Sequence, residues 1–297
     1  MENDDQSARV TRPDDEERVI SQPSPSPTKD REWRRSLPEY ALWLSLAVLI
    51  WFVLAAFGPK FGLIDWRTGL GFMIRDAGTI LIAISALFAA IAFLFAFLKT
   101  PKGPWWKAAL AFAIPALLFV GLLSMKAQAE AVPPIHDVST DLRDPPTYSA
   151  QTMALRSELG ANPINDYGTP LGDLEMWANS DNASLKVKNH ADIIAEEFPD
   201  LQPIVIGQAT EEQAFDAIVA AMGAIGLQDV RRVAGSNTVE GVAETFAFGF
   251  KDDVVARVAD GQIDLRSVSR VGVSDLGYNA SRVKELREAI EDRLKTE

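Results

Sequence analysis

The sequence predicts a membrane-anchored α+β protein, in which three N-terminal transmembrane helices precede a soluble antiparallel sheet with helices packed on one face. Three observations lead to this fold class. The first half contains three uncharged apolar stretches, the second half is strongly acidic, and that acidic half alternates in hydrophobicity as strands do, next to helical repeats.

The three apolar stretches run over residues 40–58, 77–98 and 108–125, and none of them contains a charged residue. Each is long enough to cross about 30 Å of hydrocarbon as a helix. A helix buried in a soluble core would not be expected three times within so short a segment. Residues 39–126 are therefore predicted to form a membrane domain, with the lipid bilayer as its partner.

The basic residues near the ends of the spans predict the orientation. Seven flank the N-terminal side of the first span and the second loop: Lys29, Arg31, Arg34, Arg35, Lys99, Lys102 and Lys107. Four lie on the other side: Lys60, Arg67, Arg75 and Lys126. Because the more basic side stays in the cytoplasm, the N-terminus is predicted to be cytoplasmic, and an odd number of spans places the C-terminal domain across the membrane.

The charge of the chain is divided unevenly. Up to residue 126 there are 14 Lys and Arg against 12 Asp and Glu, whereas the remainder has 15 against 29, a net charge of −14. An acidic domain of this kind argues against binding nucleic acid or anionic headgroups. The chain has no cysteine, which excludes disulfides, thiolate catalysis and iron–sulfur clusters. No cofactor is expected.

Composition also divides the chain at its ends. Residues 1–38 are rich in charge and contain a Ser- and Pro-rich run, so they are predicted to be a disordered cytoplasmic tail. Residues 127–134 are predicted to be a short tether, and residues 135–297 the soluble α+β domain.

Several elements of the soluble domain have local signals. Thr210 and Gln213 predict a capping box at the start of a helix that ends before Gly226. Asp260–Gly261 predicts a two-residue hairpin turn that pairs Val258 with Ile263 and Arg257 with Asp264. The other predicted elements are strands at Ile135–Ser139, Ile204–Ile206 and Val230–Ala234, and helices at Ala150–Leu159, Ala191–Phe198 and Asn279–Leu294.

The strongest alternation lies at Val239–Phe250, which we interpret as one long strand. A three-residue loop over 251–253 would place Phe250 opposite Val254 and Phe248 opposite Ala256, giving one apolar face. Phe248 is then expected in the core of the soluble domain.

Two later motifs, ETFAFGFKDDVVARV at Glu244–Val258 and RSVSRVGVSDLGYNASRV at Arg266–Val283, resemble the bacterial family catalogued as domain of unknown function 1499 (DUF1499). PPIHDVSTD at Pro133–Asp141 and FPDLQPI at Phe198–Ile204 are similar to its earlier blocks. The segment Leu159–Ser180 fits the family pattern poorly. The resemblance implies a bacterial, often membrane-anchored domain and assigns no catalytic residue. It makes the expected location the inner membrane, with the soluble domain in the periplasm.

Candidate site residues fall into two groups. Arg266, Arg270, Ser274, Asp275 and Asn279 surround the start of the last predicted helix, where an arginine and free backbone N–H groups suit an anion. The same residues could instead cap and brace that helix. His136 with Asp137 and Asp141 is the weaker candidate, for a metal or an acid–base pair.

Two hypotheses about function remain open. The first is a non-catalytic envelope module that binds another envelope protein, a lipid or a small ligand. The second is a periplasmic hydrolase or metal-assisted enzyme that uses His136, Asp137 and Asp141, or Ser274 and Asp275. The first is favoured because the sequence has no visible nucleophile–base pair and no phosphate loop.

Overall fold

A computed structural model describes residues 29–98 and 103–296. Its N-terminal part contains α1 (Lys29–Phe57), a π-helix (Arg67–Asp76), α2 (Ala77–Leu98) and α3 (Trp105–Ala131). Among the described residues, three helices are long and apolar enough to cross a membrane, over Ser36–Phe57, Arg67–Leu98 and Trp105–Ala131. The three predicted spans are therefore present as helices.

The boundaries differ from the prediction at two points. Helix α1 already begins at Lys29, inside the predicted tail, because Lys, Glu and Arg are good helix formers and continue the apolar helix outward. Helix α3 extends to Ala131 and takes up most of the predicted tether, so the connection to the soluble domain is short. The rest of the predicted tail, residues 1–28, lies outside the described residues.

Small residues bring the three helices together. Ala41 of α1, Ala89 and Ala92 of α2, and Ala108 and Ala111 of α3 are fully buried in one cluster. The hydroxyl of Ser45 hydrogen-bonds with that of Ser85 (2.8 Å) and donates to the carbonyl of Ala111 (2.7 Å). Close backbone approach and hydrogen bonds between helices are the interactions that hold membrane helices together, since lipid is as apolar as their side chains.

The soluble part contains both strands and helices. Its strands are β1 (Asp137–Ser139), β2 (Ile204–Val205), β3 (Gln228–Arg232), β4 (Thr238–Glu244), β5 (Lys251–Ala259) and β6 (Gln262–Ser269). Its helices are α4 (Ala150–Glu158), α5 (Glu175–Ala178), α6 (Ala183–Lys186), α7 (His190–Glu197), α8 (Glu211–Ala224) and α9 (Tyr278–Thr296), with a 3-10 turn at Leu171–Asp173.

The described strands form an antiparallel sheet in the order β1-β6-β5-β4-β3, with β2 also paired to β6. The predicted β5–β6 turn is confirmed: Val258 pairs with Ile263 and Arg257 with Asp264. Asp260 and Gly261 both have positive φ, as a type I′ turn requires. The capping box at Thr210 and Gln213 is confirmed as well.

The predicted register of the β4–β5 hairpin is wrong. Val254 pairs with Gly241 instead of Phe250, and the strands end at the pair Glu244–Lys251, which leaves residues 245–250 as a loop. The three-residue loop would give one continuous apolar face and bury the phenylalanines in the soluble core. In the structure these phenylalanines contact the membrane domain, and Asp252 and Asp253 are buried against arginines.

The sheet has two differently covered faces. Its apolar face packs against α8 and α9, with Ile263, Leu265, Ile218, Leu286 and Ile290 fully buried in the main core. This agrees with the predicted helices on one face of a sheet. The opposite face, which the prediction left open, is covered by α4 and the chain around it, through Tyr148, Val255 and Val268.

Candidate functional site

Strand alternation distributes the chemical groups of β1 and β6 over both faces of the sheet. Asp137 lies opposite Val268 and Ser139 opposite Arg266, so these four residues share the face under α4. Val138 lies opposite Ser267, on the face under α9. The sheet therefore separates two polar clusters.

The first buried cluster under α4 is the pair of Asp137 and Arg266, which are 0 % and 2 % exposed. Arg266 donates from Nε to Oδ1 of Asp137 (2.9 Å) and from Nη2 to Oδ2 (2.7 Å). The hydroxyl of Tyr167 donates to the same carboxylate at 2.6 Å. Burial raises the pKa of Asp137, but the charge and hydrogen bonds of Arg266 outweigh it and hold that pKa below its usual value.

A second cluster on the same face is centred on Asp253. Arg156 of α4 reaches its carboxylate at 2.5 Å, and Arg270, the residue after β6, reaches it at 2.6 Å. Next to it, the carboxylate of Glu240 accepts from Arg231 (2.5 Å) and from the hydroxyl of Thr152 (2.6 Å). The charged groups on this face are thus used to fasten α4 to the sheet.

On the other face, Asn279 at the start of α9 is the hub of a buried network. Its amide nitrogen donates to the backbone carbonyl of His136 and to the hydroxyl of Ser269, both at 2.9 Å. Its amide oxygen accepts from Ser267 (2.6 Å) and from Arg282 (2.7 Å). Arg282 also pairs with Asp252 at 2.8 Å.

Ser274 and Asp275 shape the turn that precedes α9. The hydroxyl of Ser274 accepts from the backbone N–H of Leu276 at 3.2 Å. Asp275 accepts from the backbone N–H groups of Gly277 (2.8 Å) and Asn279 (2.6 Å). Burial raises the pKa of Asp275 to about 6, despite these two hydrogen bonds. This is the capping alternative considered from the sequence, except that Arg270 pairs with Asp253 and not with Asp275.

The five residues proposed as an anion site therefore do not converge. Arg266 and Arg270 lie under α4 and are paired with aspartates, whereas Ser274, Asp275 and Asn279 lie at the start of α9. These residues lie close together in the sequence, but the end of a strand, a turn and the start of a helix direct them to different faces of the sheet. Only the three-dimensional structure shows which of them meet.

The histidine hypothesis is also not supported by the geometry. His136 faces away from Asp137, is fully buried, and stacks on Trp177 with ring centroids 5.4 Å apart. The ring of His190 lies edge-on to it at 6.4 Å, and neither histidine has a hydrogen-bond partner at its ring nitrogens. Asp141 is bound to Arg257 at 3.2 Å. Within residues 29–98 and 103–296, no three His, Asp or Glu side chains are placed to hold a metal ion.

Burial sets the protonation state of the two histidines. It lowers the pKa of His136 to about 4, because an imidazolium without water is costly and the nearby carboxylate of Asp137 offsets this only in part. The pKa of His190 is lowered for the same reason. Both rings are therefore neutral near pH 7 and act as aromatic packing.

A concave surface lies at the end of the sheet away from the membrane helices. The segment 203–209 forms one wall of a groove of about 620 Å³, and Arg287, Glu291 and Lys295 of α9 form the other. Val205 projects beside it and is 76 % exposed. The sequence analysis did not find this groove, because its walls come from segments about 80 residues apart.

The comparison with protein families agrees with the motifs in this sheet. Residues 137–290 match the model of a family described as protein of unknown function (DUF1499). The chain belongs to the DUF1499 family. It has no significant match among curated proteins or among solved structures.

The match covers every strand of the sheet and most of α9. The DUF1499 motif at residues 266–283 contains Arg266, Ser267, Ser269, Arg270, Asn279 and Arg282, which are the residues that tie β6 to its neighbours. Sequence reasoning missed Arg156, Tyr167 and Glu240 as partners of this motif. The alternation of charged with apolar residues in β6 is also what a strand with one solvated face shows, so it could not reveal that this face is covered.

Proposed function

We propose that this DUF1499 protein is a multi-pass protein of the bacterial inner membrane whose periplasmic domain is a non-catalytic binding module. The observation that carries the proposal is that the polar groups of the candidate sites already have structural roles. The candidate acids and hydroxyls are bonded to other groups of the domain or act as caps, and His136 is packed against Trp177, whereas the groove beside Val205 is left open.

The groove suits an extended segment of another envelope protein. Its wall at 203–209 contains the short strand β2, which among the described strands pairs with β6 alone, and its opposite wall carries both signs of charge, on Arg287, Lys295 and Glu291. A surface of this kind offers hydrogen bonds along its length in addition to apolar contact, which is how extended peptides are recognised.

Site-specific photo-crosslinking tests this assignment. A photoreactive residue at Val205 should give one defined protein adduct in intact cells, and Lys295→Glu on the opposite wall should abolish it. Val187 is the matched control, because it is equally exposed (77 %) but lies outside the groove. The same adducts at both positions, or none at Val205, would refute the binding surface.

An assay for catalysis separates the two hypotheses. The purified full chain in detergent should turn over no ester, phosphoester or peptide substrate. Turnover that Ser274→Ala or Asp275→Asn abolishes, with folding retained, would overturn the non-catalytic assignment.

The proposed orientation is supported by the seven-to-four distribution of basic residues. Lys60, which follows α1, pairs with Glu244 of the soluble domain at 3.2 Å, as expected if the first loop and that domain share one side. Because the chain has no cysteine, Ser236→Cys on the exposed β3–β4 turn would report the side directly. It should react with a membrane-impermeant thiol reagent in cells with a permeable outer layer; labelling only after lysis would reverse the orientation.

A further inference from the structure

The tip of the β4–β5 hairpin, residues 245–250 (the hairpin tip), carries three phenylalanines, and none of them lies in the sheet. Phe248 packs into a cluster of the membrane domain with Trp51 and Ile64. Phe250 stacks on Phe248 with ring centroids 5.2 Å apart. Phe246 is left 81 % exposed; its ring makes an edge contact with Phe57 at the end of α1, and the ammonium of Lys60 lies 6.0 Å from its centroid.

Hydrogen bonds hold the hairpin tip against the membrane domain. The backbone N–H of Phe248 donates to the carbonyl of Ala56 at 2.7 Å, which satisfies one of the free carbonyls at the end of α1. The ammonium of Lys60 pairs with Glu244 and donates to the carbonyl of Thr245 at 3.3 Å. The position of Phe246 is therefore fixed relative to the helices.

Gly249 allows this close approach. It has a φ of +65°, and a Cβ at this position would lie 2.9 Å from the Cα of Lys60. A side chain here would push the tip away from the first loop, so the sequence contains the residue that direct contact requires.

The helices give the depth of the hairpin tip. Glu39 of α1 pairs with Lys107 of α3 at 3.7 Å, and such charges belong at the headgroups. At about 1.5 Å per residue, α1 rises about 27 Å from Glu39 to Phe57. The hydrocarbon of a bilayer is about 30 Å thick, so Phe57 and its neighbour Phe246 lie at the opposite boundary.

Two further apolar side chains continue this exposed surface. Phe61 and Leu63 of the first loop are 71 % and 70 % exposed. The backbone N–H of Phe61 donates to the carbonyl of Phe57 at 3.3 Å, and Phe57 also contacts Phe246, so these exposed side chains lie at the same end of the helices. Aromatic rings favour this level of a membrane. If Phe246, Phe61 and Leu63 were in contact with water instead, no favourable contact would offset the exposure of their apolar surface.

We propose that the hairpin tip inserts into the membrane interface, with Phe246 in contact with lipid, so that the soluble domain itself binds the bilayer. The interaction is apolar, because the net charge of −14 on residues 127–297 does not favour attraction to anionic headgroups. The protein would thus hold its domain on the membrane surface through two contacts, the end of α3 and the hairpin tip, with the groove facing away.

Fluorescence quenching in nanodiscs tests the proposal on the full chain. Single cysteines replace Phe246, Phe61, Val205 or Val187 in this cysteine-free protein and carry one environment-sensitive dye. The nanodiscs contain phosphatidylcholine with a nitroxide-labelled lipid, and iodide is the aqueous quencher. Both membrane faces are open in a nanodisc, so the result does not depend on topology.

The dye at 246 and at 61 should be quenched by the nitroxide lipid and lose most of its quenching by iodide. The dye at 205 and at 187 should behave in the opposite way, although Phe246, Val205 and Val187 are similarly exposed at 81 %, 76 % and 77 %. Equal iodide quenching at 246 and 205, with equal urea midpoints to show that both variants are folded, would overturn the proposal.

Discussion

Replacing Arg266 by Met removes the cation that neutralises the fully buried carboxylate of Asp137. Both residues are at most 2 % exposed, and two hydrogen bonds, of 2.9 and 2.7 Å, join them. After the substitution the carboxylate keeps only the hydroxyl of Tyr167. Removing one partner of a buried pair costs about 3–5 kcal/mol, a large part of the 5–15 kcal/mol that stabilises a typical domain.

Urea unfolding of the full chain in detergent, followed by circular dichroism, measures this loss. Membrane helices in a micelle resist urea, so the transition reports the soluble domain. The expected result is a fall of about 3–5 kcal/mol in the free energy of unfolding at pH 7 for Arg266→Met.

The double variant Asp137→Leu with Arg266→Met is the control. It removes both charges and leaves apolar side chains of similar size, so it should cost much less than the two single substitutions together. A loss below about 1 kcal/mol for Arg266→Met, or additive losses in the double variant, would contradict the role of this pair as a buried brace.

The pH dependence of the same pair gives a second check. In the wild type the pKa of Asp137 is below its usual value of 3.8, so its contribution is complete above pH 3.8 and is lost as the pH falls through the lowered pKa. Without Arg266, burial outweighs the remaining hydrogen bond from Tyr167 and raises the pKa of Asp137. Acidification therefore favours the folded Arg266→Met variant. The difference between its free energy of unfolding and that of the wild type should shrink between pH 7 and pH 4. A deficit that does not change with pH would argue against an uncompensated charge.

Three further substitutions test the remaining assignments. His136 has a pKa of about 4, against 6.5 for an ordinary histidine, so the stability of the domain should fall by up to about 3 kcal/mol as the pH is lowered from above 6.5 to 4. His136→Phe should flatten this decline in urea midpoints, and an unchanged slope would contradict the assignment. Asp275→Ala should lower the free energy of unfolding by about 1 kcal/mol through loss of the cap on α9, whereas no loss would remove the capping role. Phe248→Ala should change the urea transition by no more than about 0.5 kcal/mol but increase trypsin cleavage after Lys251, because Phe248 packs on the membrane domain; a loss of about 3–5 kcal/mol would instead restore it to the soluble core.

Local interactions explain why so much of the fold could be predicted. The spans follow from composition alone, because a helix that crosses hydrocarbon must be long, apolar and largely uncharged. The Asp260–Gly261 turn and the Thr210 cap depend on residues within a few positions of each other, and both predictions are confirmed. The register of β5 with β6 followed directly from the turn.

The β4–β5 hairpin shows where prediction from local residues fails. The sequence alternates over residues 239–250, yet β4 ends at Glu244, and the phenylalanines beyond it contact membrane helices that lie about 190 residues earlier in the chain. The register was predicted on the assumption that the soluble core was the only apolar environment available. In a membrane protein the helices offer a second one.

Charged and polar residues needed the tertiary structure most. Arg270, Asp253 and Arg156 are far apart in sequence, and only the pairing of β5 with β6 and the placement of α4 bring them together. His136 and Asp137 are adjacent in sequence but point to opposite faces of β1, one into aromatic packing and the other into an ion pair. The sequence determined which residues carry the chemistry, whereas the fold decided their partners, because burying a charge is tolerated only where another element supplies its counter-charge.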